Sequence, residues 1–288
     1  MKFIHTLRRK LQKHHINLLN GHRWYNRWHR HPHATRIHLS AAVVSLGISA
    51  LLVSNPTFAA KPKINFNVRV TGYDYGTSVR GNPLTAYTFG DGDQPIWFVA
   101  GIHGNEKSSS YLAVDLINYL AANPGAVPEN KRVIVIASAN PDGFLRNSRL
   151  NARGIDLNRN FGSSDWRRYV RKGRQLLYGG RAPFSEKESK ALQIHMEHDG
   201  VAALVTLHAK GNLVNPEFTK ASRDLAKRYA ELSETPYLEN WSSYATPGTL
   251  TLWAEERFGA PSITVELPTY NHPDWQKNFP AILDVIQN

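Results

Sequence analysis

The 288 residues contain no cysteine, which excludes a disulfide framework and thiolate metal sites alike. Any metal must therefore be held by His, Asp or Glu. Long apolar runs are also missing. The most apolar stretch, Leu39 to Val53, has fifteen residues, short of the ~20 expected of a spanning helix. Acidic residues are absent from residues 1–60, where nine Lys and Arg stand alone. Setting those nine aside from the net +12 leaves +3 for residues 61–288. A remainder so close to balance gives no reason to expect a nucleic-acid partner.

The basic block, the apolar run and the small residues Pro56-Thr-Phe-Ala-Ala60 read in that order as an export signal. The long basic region leaves an uncleaved N-terminal membrane anchor open. The expected location is thus periplasmic or secreted, or membrane-attached through residues 39–53. Eight of the thirteen histidines precede residue 40, and they read as a polar leader rather than a metal site. The expected division is a leader over 1–60 and a catalytic domain over 61–288.

Within that domain, Asn65–Tyr75 and Leu84–Phe89 read as short strands. Ile96–Ala100 and Val133–Ile136 read as strands buried on both faces. Leu112, Leu116, Ile117 and Leu120 recur at helical spacing in Ser108–Ala122. Residues 140–183, rich in Asn, Arg and Gly, read as a long functional loop. A capping box at Ser185 and Glu188 is expected to open a helix to about His198. Strand Val201–Leu207, helix Pro216–Ser233, helix Leu250–Phe258, strand Ser262–Glu266 and a final amphipathic helix complete the reading. The expected class is a single α/β domain, with a mixed, mostly parallel central sheet and helices on both faces. Ligands in such sheets gather beyond the carboxyl ends of the strands.

The chemistry-bearing residues fall at those ends. His103 and Glu106, three apart, follow directly on an apolar strand, and His208 ends another. Two His and one Glu form a ligand set for one catalytic Zn2+ with a position left open. His195 and His198 lie in a polar helical stretch with no buried strand before them, and are not expected to be ligands.

His103-x-x-Glu106, Asn140-Pro-Asp-Gly143, Gly154-Ile-Asp-Leu-Asn158-Arg159-Asn-Phe161, His208 and Thr264-Val-Glu266 occur in this order. Together they resemble the signature of the zinc carboxypeptidase superfamily, over about residues 90–270. The Asn151–Phe161 block most resembles the bacterial murein peptide amidase branch. The resemblance implies Glu266 as catalytic base, then as proton donor to the departing amine. It implies an Arg that stabilises the oxyanion. Arg149 matches best, with Arg146 and Arg153 as competitors. Asn158 and Arg159 match residues that grip a terminal carboxylate, and Tyr244 matches a mobile phenol. Asp142 or Asp156 is expected to orient a zinc-bound imidazole.

The implied partner is a peptide, and export favours a peptidoglycan stem peptide cut at a bond such as D-glutamyl–diaminopimelate. A diaminopimelate side chain ends in a zwitterion and needs a polar pocket, for which Thr251 is the candidate. Three alternatives stand beside this: a general peptide carboxypeptidase, a zinc deacylase of the aspartoacylase or succinylglutamate desuccinylase type, and a wall-peptide binder without catalysis. The short segment after Glu266 favours the peptidase over the deacylase. Oligomeric state is not legible.

Overall fold

Alternating burial organises the chain around a sheet. The computed structural model describes residues 72–288. The leader, its apolar run, its histidines and the start of the first expected strand lie outside the described residues. The strands are β1 (Gly72–Thr77), β2 (Pro83–Phe89), β3 (Gln94–Ala100), β4 (Lys131–Ile136), β5 (Tyr169–Lys172), β6 (Gln175–Tyr178), β7 (Ala203–Ala209), β8 (Leu213–Pro216) and β9 (Ser262–Leu267). The α-helices are α1 (Lys107–Ala122), α2 (Pro141–Arg146), α3 (Lys187–Asp199), α4 (Lys220–Leu232), α5 (Leu250–Phe258) and α6 (Trp275–Gln287).

Seven strands form one sheet in the order β1-β2-β4-β3-β7-β9-β8, while β5 and β6 make a separate hairpin. The central strands β4, β3, β7 and β9 run parallel, and the outer pairings are antiparallel. Ile96, Phe98 and Ala100 of β3 join one core with Leu112 and Leu116 of α1, Leu225 of α4 and Ile282 of α6. Trp97 and Val99 face the opposite core, with Leu192 and Met196 of α3 and Trp253 of α5. Side chains alternate across the sheet plane, so a continuous apolar run fills both layers. The mixed sheet with helices on both faces is the expected architecture. Among the described residues, no helix is long and apolar enough to cross a membrane.

Several boundaries differ from the sequence reading, each for a tertiary reason. The expected loop 140–183 contains α2 and the β5–β6 hairpin. The capping box does not form: Glu186 is the N-cap without a side-chain cap. Ser185 instead contacts Asn160 and Glu186, and Glu188 accepts from Val79 N at 2.9 Å. Pro216 ends the edge strand β8 rather than opening a helix. Thr219 is the actual N-cap of α4, accepting from Ser222 N. The strand expected from Val201 begins at Ala203 and runs through His208 to Ala209.

The turn after β3 depends on one glycine. Gly101 has φ +65°, and a Cβ there would stand 2.8 Å from Ser110 Oγ and 2.9 Å from Ser138 Cα. A side chain is excluded both by conformation and by space. Gly101→Ala is expected to destabilise the fold by about 1–3 kcal/mol. A lowered urea midpoint with an unchanged m-value checks this.

Candidate active site and metal centre

The parallel strands bring their carboxyl ends to one edge. His103 follows β3 by three residues, and His208 lies near the end of β7, which pairs with β3. Glu266 of β9 sits in register with His208. Glu106 is the N-cap residue of α1. Four side chains separated by up to 163 positions therefore share one strand edge.

His103, Glu106 and His208 are buried, and one ligand atom from each lies within 4.8 Å of the other two. His103 Nδ1 is 2.8 Å from Glu106 Oε1, and His208 Nδ1 is 2.9 Å from Glu106 Oε2. The two Nδ1 atoms face each other at 3.2 Å. Two imidazole nitrogens aimed at one point need a proton or a cation between them. Ligands on a tetrahedral zinc, each at ~2.0–2.1 Å, would stand about 3.3 Å apart. The donor set and its spacing fit zinc. This is the one group of three or more His, Asp or Glu able to hold a metal among the described residues.

Asp156, fully buried, holds the cluster from behind. Its Oδ1 lies 3.1 Å from His103 Nε2, and its Oδ2 accepts from Arg149 Nε at 3.0 Å. Arg149 Nη1 also reaches Glu106 Oε1 at 3.4 Å. Burial alone would raise both carboxyl groups. The imidazoles hold Glu106 well below the usual carboxylate range, and Arg149 and His103 do the same for Asp156. Glu266 shifts the other way, pushed up by burial and by the Glu106 charge. Its side chain stands against Gly211, where a Cβ would come within 2.9 Å of Glu266 Cβ.

The competing arginines separate cleanly. Arg146 donates to the Asp142 and Asn151 carbonyls, and Arg153 is about half exposed beside Glu186. Arg149 alone of the three touches the His–Glu cluster. Asp142 likewise drops out as an imidazole partner. It accepts from Ser78 Oγ, Arg80 N and Asn82 Nδ2, fastening the β1–β2 turn.

Asn158 and Arg159 lie on a single 3-10 turn, Leu157–Arg159, capped by Asp156 through Asn158 N. Asn158 Oδ1 accepts from Leu250 N at 3.1 Å, and its Nδ2 lies 3.5 Å from His208 Nε2. Arg159 is 2% exposed, and its Nε has no hydrogen-bond partner. Among the described residues no carboxylate lies within ion-pair distance of it, and burial lowers its basicity. The Tyr244 ring covers it, with the guanidinium 5.8 Å from the ring centre.

His195 is packed among Tyr73, Tyr75 and Trp97, with the Tyr73 hydroxyl 2.7 Å from its Nε2, and His198 is exposed. Neither belongs to the metal cluster.

The zinc carboxypeptidase family pattern matches residues 58–279. The chain belongs to the zinc carboxypeptidase family. It is a metallopeptidase of that family, and zinc is its cofactor. Murein peptide amidase A of Vibrio campbellii is 30% identical over 230 residues, covering 76% of this chain and 88% of the relative. Murein peptide amidase A of Escherichia coli K12 is 28% identical, covering 71% and 84%. The crystal structure of murein-tripeptide amidase MpaA from Escherichia coli O157 superposes with a TM-score of 0.62 at 25% identity, covering 80% of this chain and 94% of that one.

One partly buried acid near the Asn158–Arg159 turn went unremarked in the sequence reading. Glu217 accepts from Thr251 Oγ1 at 2.5 Å. The sequence reading placed position 217 inside the helix expected over Pro216–Ser233 and assigned Glu217 no role. It lies instead between β8 and α4, and Thr251 adjoins the Leu250 amide that pins Asn158.

Replacing Asp156 by Asn should weaken zinc binding by about 10–100-fold, measured by competition with a chromophoric chelator. Asp142→Ala should lower stability and leave zinc affinity unchanged.

Proposed function

We propose that the chain is an exported zinc carboxypeptidase acting on murein peptides, releasing a C-terminal residue at a bond such as D-glutamyl–diaminopimelate. Arg159 carries the reading. A buried guanidinium with no carboxylate in ion-pair contact, its Nη1 donating to the Asn158 carbonyl and its Nε unpaired, is stabilised by an anion that completes the site. A substrate carboxylate is that anion, and Arg159 offers it a planar two-pronged fork.

In this reading His103, Glu106 and His208 hold one zinc, with Asp156 fixing the His103 ring. A zinc ion held by these three side chains would supply Lewis acidity to the substrate carbonyl and the attacking water. Glu266 takes a proton from the attacking water and passes it to the departing amine; its raised basicity suits both halves of that task. Arg149 faces the same cluster and donates to the negative charge that develops on the carbonyl oxygen. Tyr244, within electrostatic reach of Arg149 and Arg159, closes over the bound carboxylate. Asn158 positions His208 and the start of α5.

Glu217 supports the murein substrate. It lies with Thr251 beside the Asn158–Arg159 turn, and Asp165 is within electrostatic reach of both Glu217 and Arg159. An acid next to a carboxylate clamp matches a terminal residue whose side chain carries an ammonium, as diaminopimelate does. The murein peptide amidases among the relatives favour that substrate over a lysine-ended peptide, which the same acid would accept. The basic block and apolar run of residues 1–60 support export.

Glu266→Gln should reduce turnover by at least about a hundredfold while zinc content stays at one equivalent. Arg159→Ala should raise KM for free-acid peptides and leave the residual hydrolysis of C-terminally amidated peptides unchanged. Burial, with Glu255 and Asp165 nearby, pushes the Glu217 carboxyl up to about 7. It is neutral below that pH and anionic above it. KM for an ammonium-bearing terminal residue should therefore fall as pH rises from 6 to 8, and Glu217→Gln should flatten that fall. A digest of purified muropeptides beside lysine-ended peptides, read by mass, tests the substrate; cleavage of only the ordinary peptides would contradict it.

A further inference from the structure

We infer that the β5–β6 hairpin is a docking surface for carboxylate-bearing peptide upstream of the bond to be cut. This rests on the carboxypeptidase reading and extends it to the other side of the scissile bond. Residues 165–181 hold six cations, Arg167, Arg168, Arg171, Lys172, Arg174 and Arg181, against the single acid Asp165. Among the described residues none of the six has a carboxylate within 4.0 Å, whereas nine other Lys, Arg or His side chains outside the metal cluster do. Five of the six are exposed, and Lys172 is partly buried. Like charges held together without carboxylate partners repel one another, and an anionic ligand offsets that cost.

The hairpin is built to present this charge. Val170 and Leu177 pair across the strands and are both buried, anchoring one face. Tyr169 pairs with Tyr178 and Arg171 with Leu176 on the other face. The two tyrosine rings stack at 5.0 Å, and Tyr169 and Leu176 are each 55% exposed. The outward face thus joins cations to a flat aromatic platform.

The patch also adjoins the site. Lys172 Nζ lies 4.8 Å from the centre of the Tyr244 ring, whose ring also covers Arg159. In the inferred pose, the chain upstream of the terminal residue gripped by Arg159 runs past Tyr244 onto the hairpin. Charge complementarity selects its chemistry: acidic side chains or free α-carboxylates.

The test uses the full zinc-loaded chain and two labelled peptides of equal length, both ending in γ-D-glutamyl-diaminopimelate, one carrying four Glu upstream of that end and one carrying four Gln. Both are made C-terminally amidated for binding and as free acids for turnover. Fluorescence anisotropy should show the amidated Glu peptide bound about tenfold tighter at low ionic strength, and much less so at physiological salt. Arg171→Gln/Arg174→Gln/Arg181→Gln should reduce that preference to under about twofold, although the nine leader cations remain. With the free acids, the variant should lose the KM advantage of the Glu peptide and keep wild-type turnover of the Gln peptide. Equal binding of both peptides by the native chain, or an undiminished preference in the variant, would overturn the inference. So would arginine-dependent binding to vesicles of anionic lipid without any to the Glu peptide. An arginine-dependent preference in a chain that cleaves neither free acid would instead sink the carboxypeptidase reading and leave the docking surface standing.

Discussion

One buried carboxylate ties the site together. Asp156 bonds His103 through one oxygen and Arg149 through the other, and caps the turn carrying Asn158 and Arg159. His103, Arg149 and the turn carrying Arg159 are thereby set from a single point. A fully buried acid persists as an anion only when its lone pairs are filled by charged donors. Here the imidazole and guanidinium that fill them also contact Glu106. Displacing Asp156 would loosen all three together.

The surrounding sheet supplies the distances that local sequence cannot. Parallel β3, β7 and β9 end at one edge, so His103, His208 and Glu266 arrive there from separate stretches of chain. Glu106 joins them because a left-handed glycine turns the chain sharply after β3. Neighbouring acids are then driven apart in character. Glu106, between two imidazoles, is held as an anion, while Glu266, facing that charge from a partly buried position, is pushed toward the neutral form. Such a divergence separates a ligand from a proton carrier.

Much of this is legible in the amino-acid sequence. Continuous apolar runs marked β3 and β4, and helical spacing marked α1, because burial on both faces leaves a pattern that short segments retain. His103, Glu106 and His208 were legible from their places after such runs. Resemblance favours Arg149 over Arg146 and Arg153, but the chain around it carries no periodicity, and only tertiary packing shows that its guanidinium is the one turned inward. Asp142 and Asp156 look alike in sequence, yet one fastens a surface turn and the other the metal cluster. Glu217 was hidden by a boundary error, as proline at position 216 suits either a strand end or a helix start. The near-neutral charge of residues 61–288 likewise concealed the cations gathered on one hairpin, because an average carries no position.

The central claim is that imidazoles from β7 and from the turn after β3 share one zinc with Glu106. Native mass spectrometry after zinc saturation and desalting measures it directly, on the native chain and on His208→Ala. The native chain should retain one zinc per molecule and the variant none. No retained zinc in the native chain, or one still held by the variant, would contradict the account.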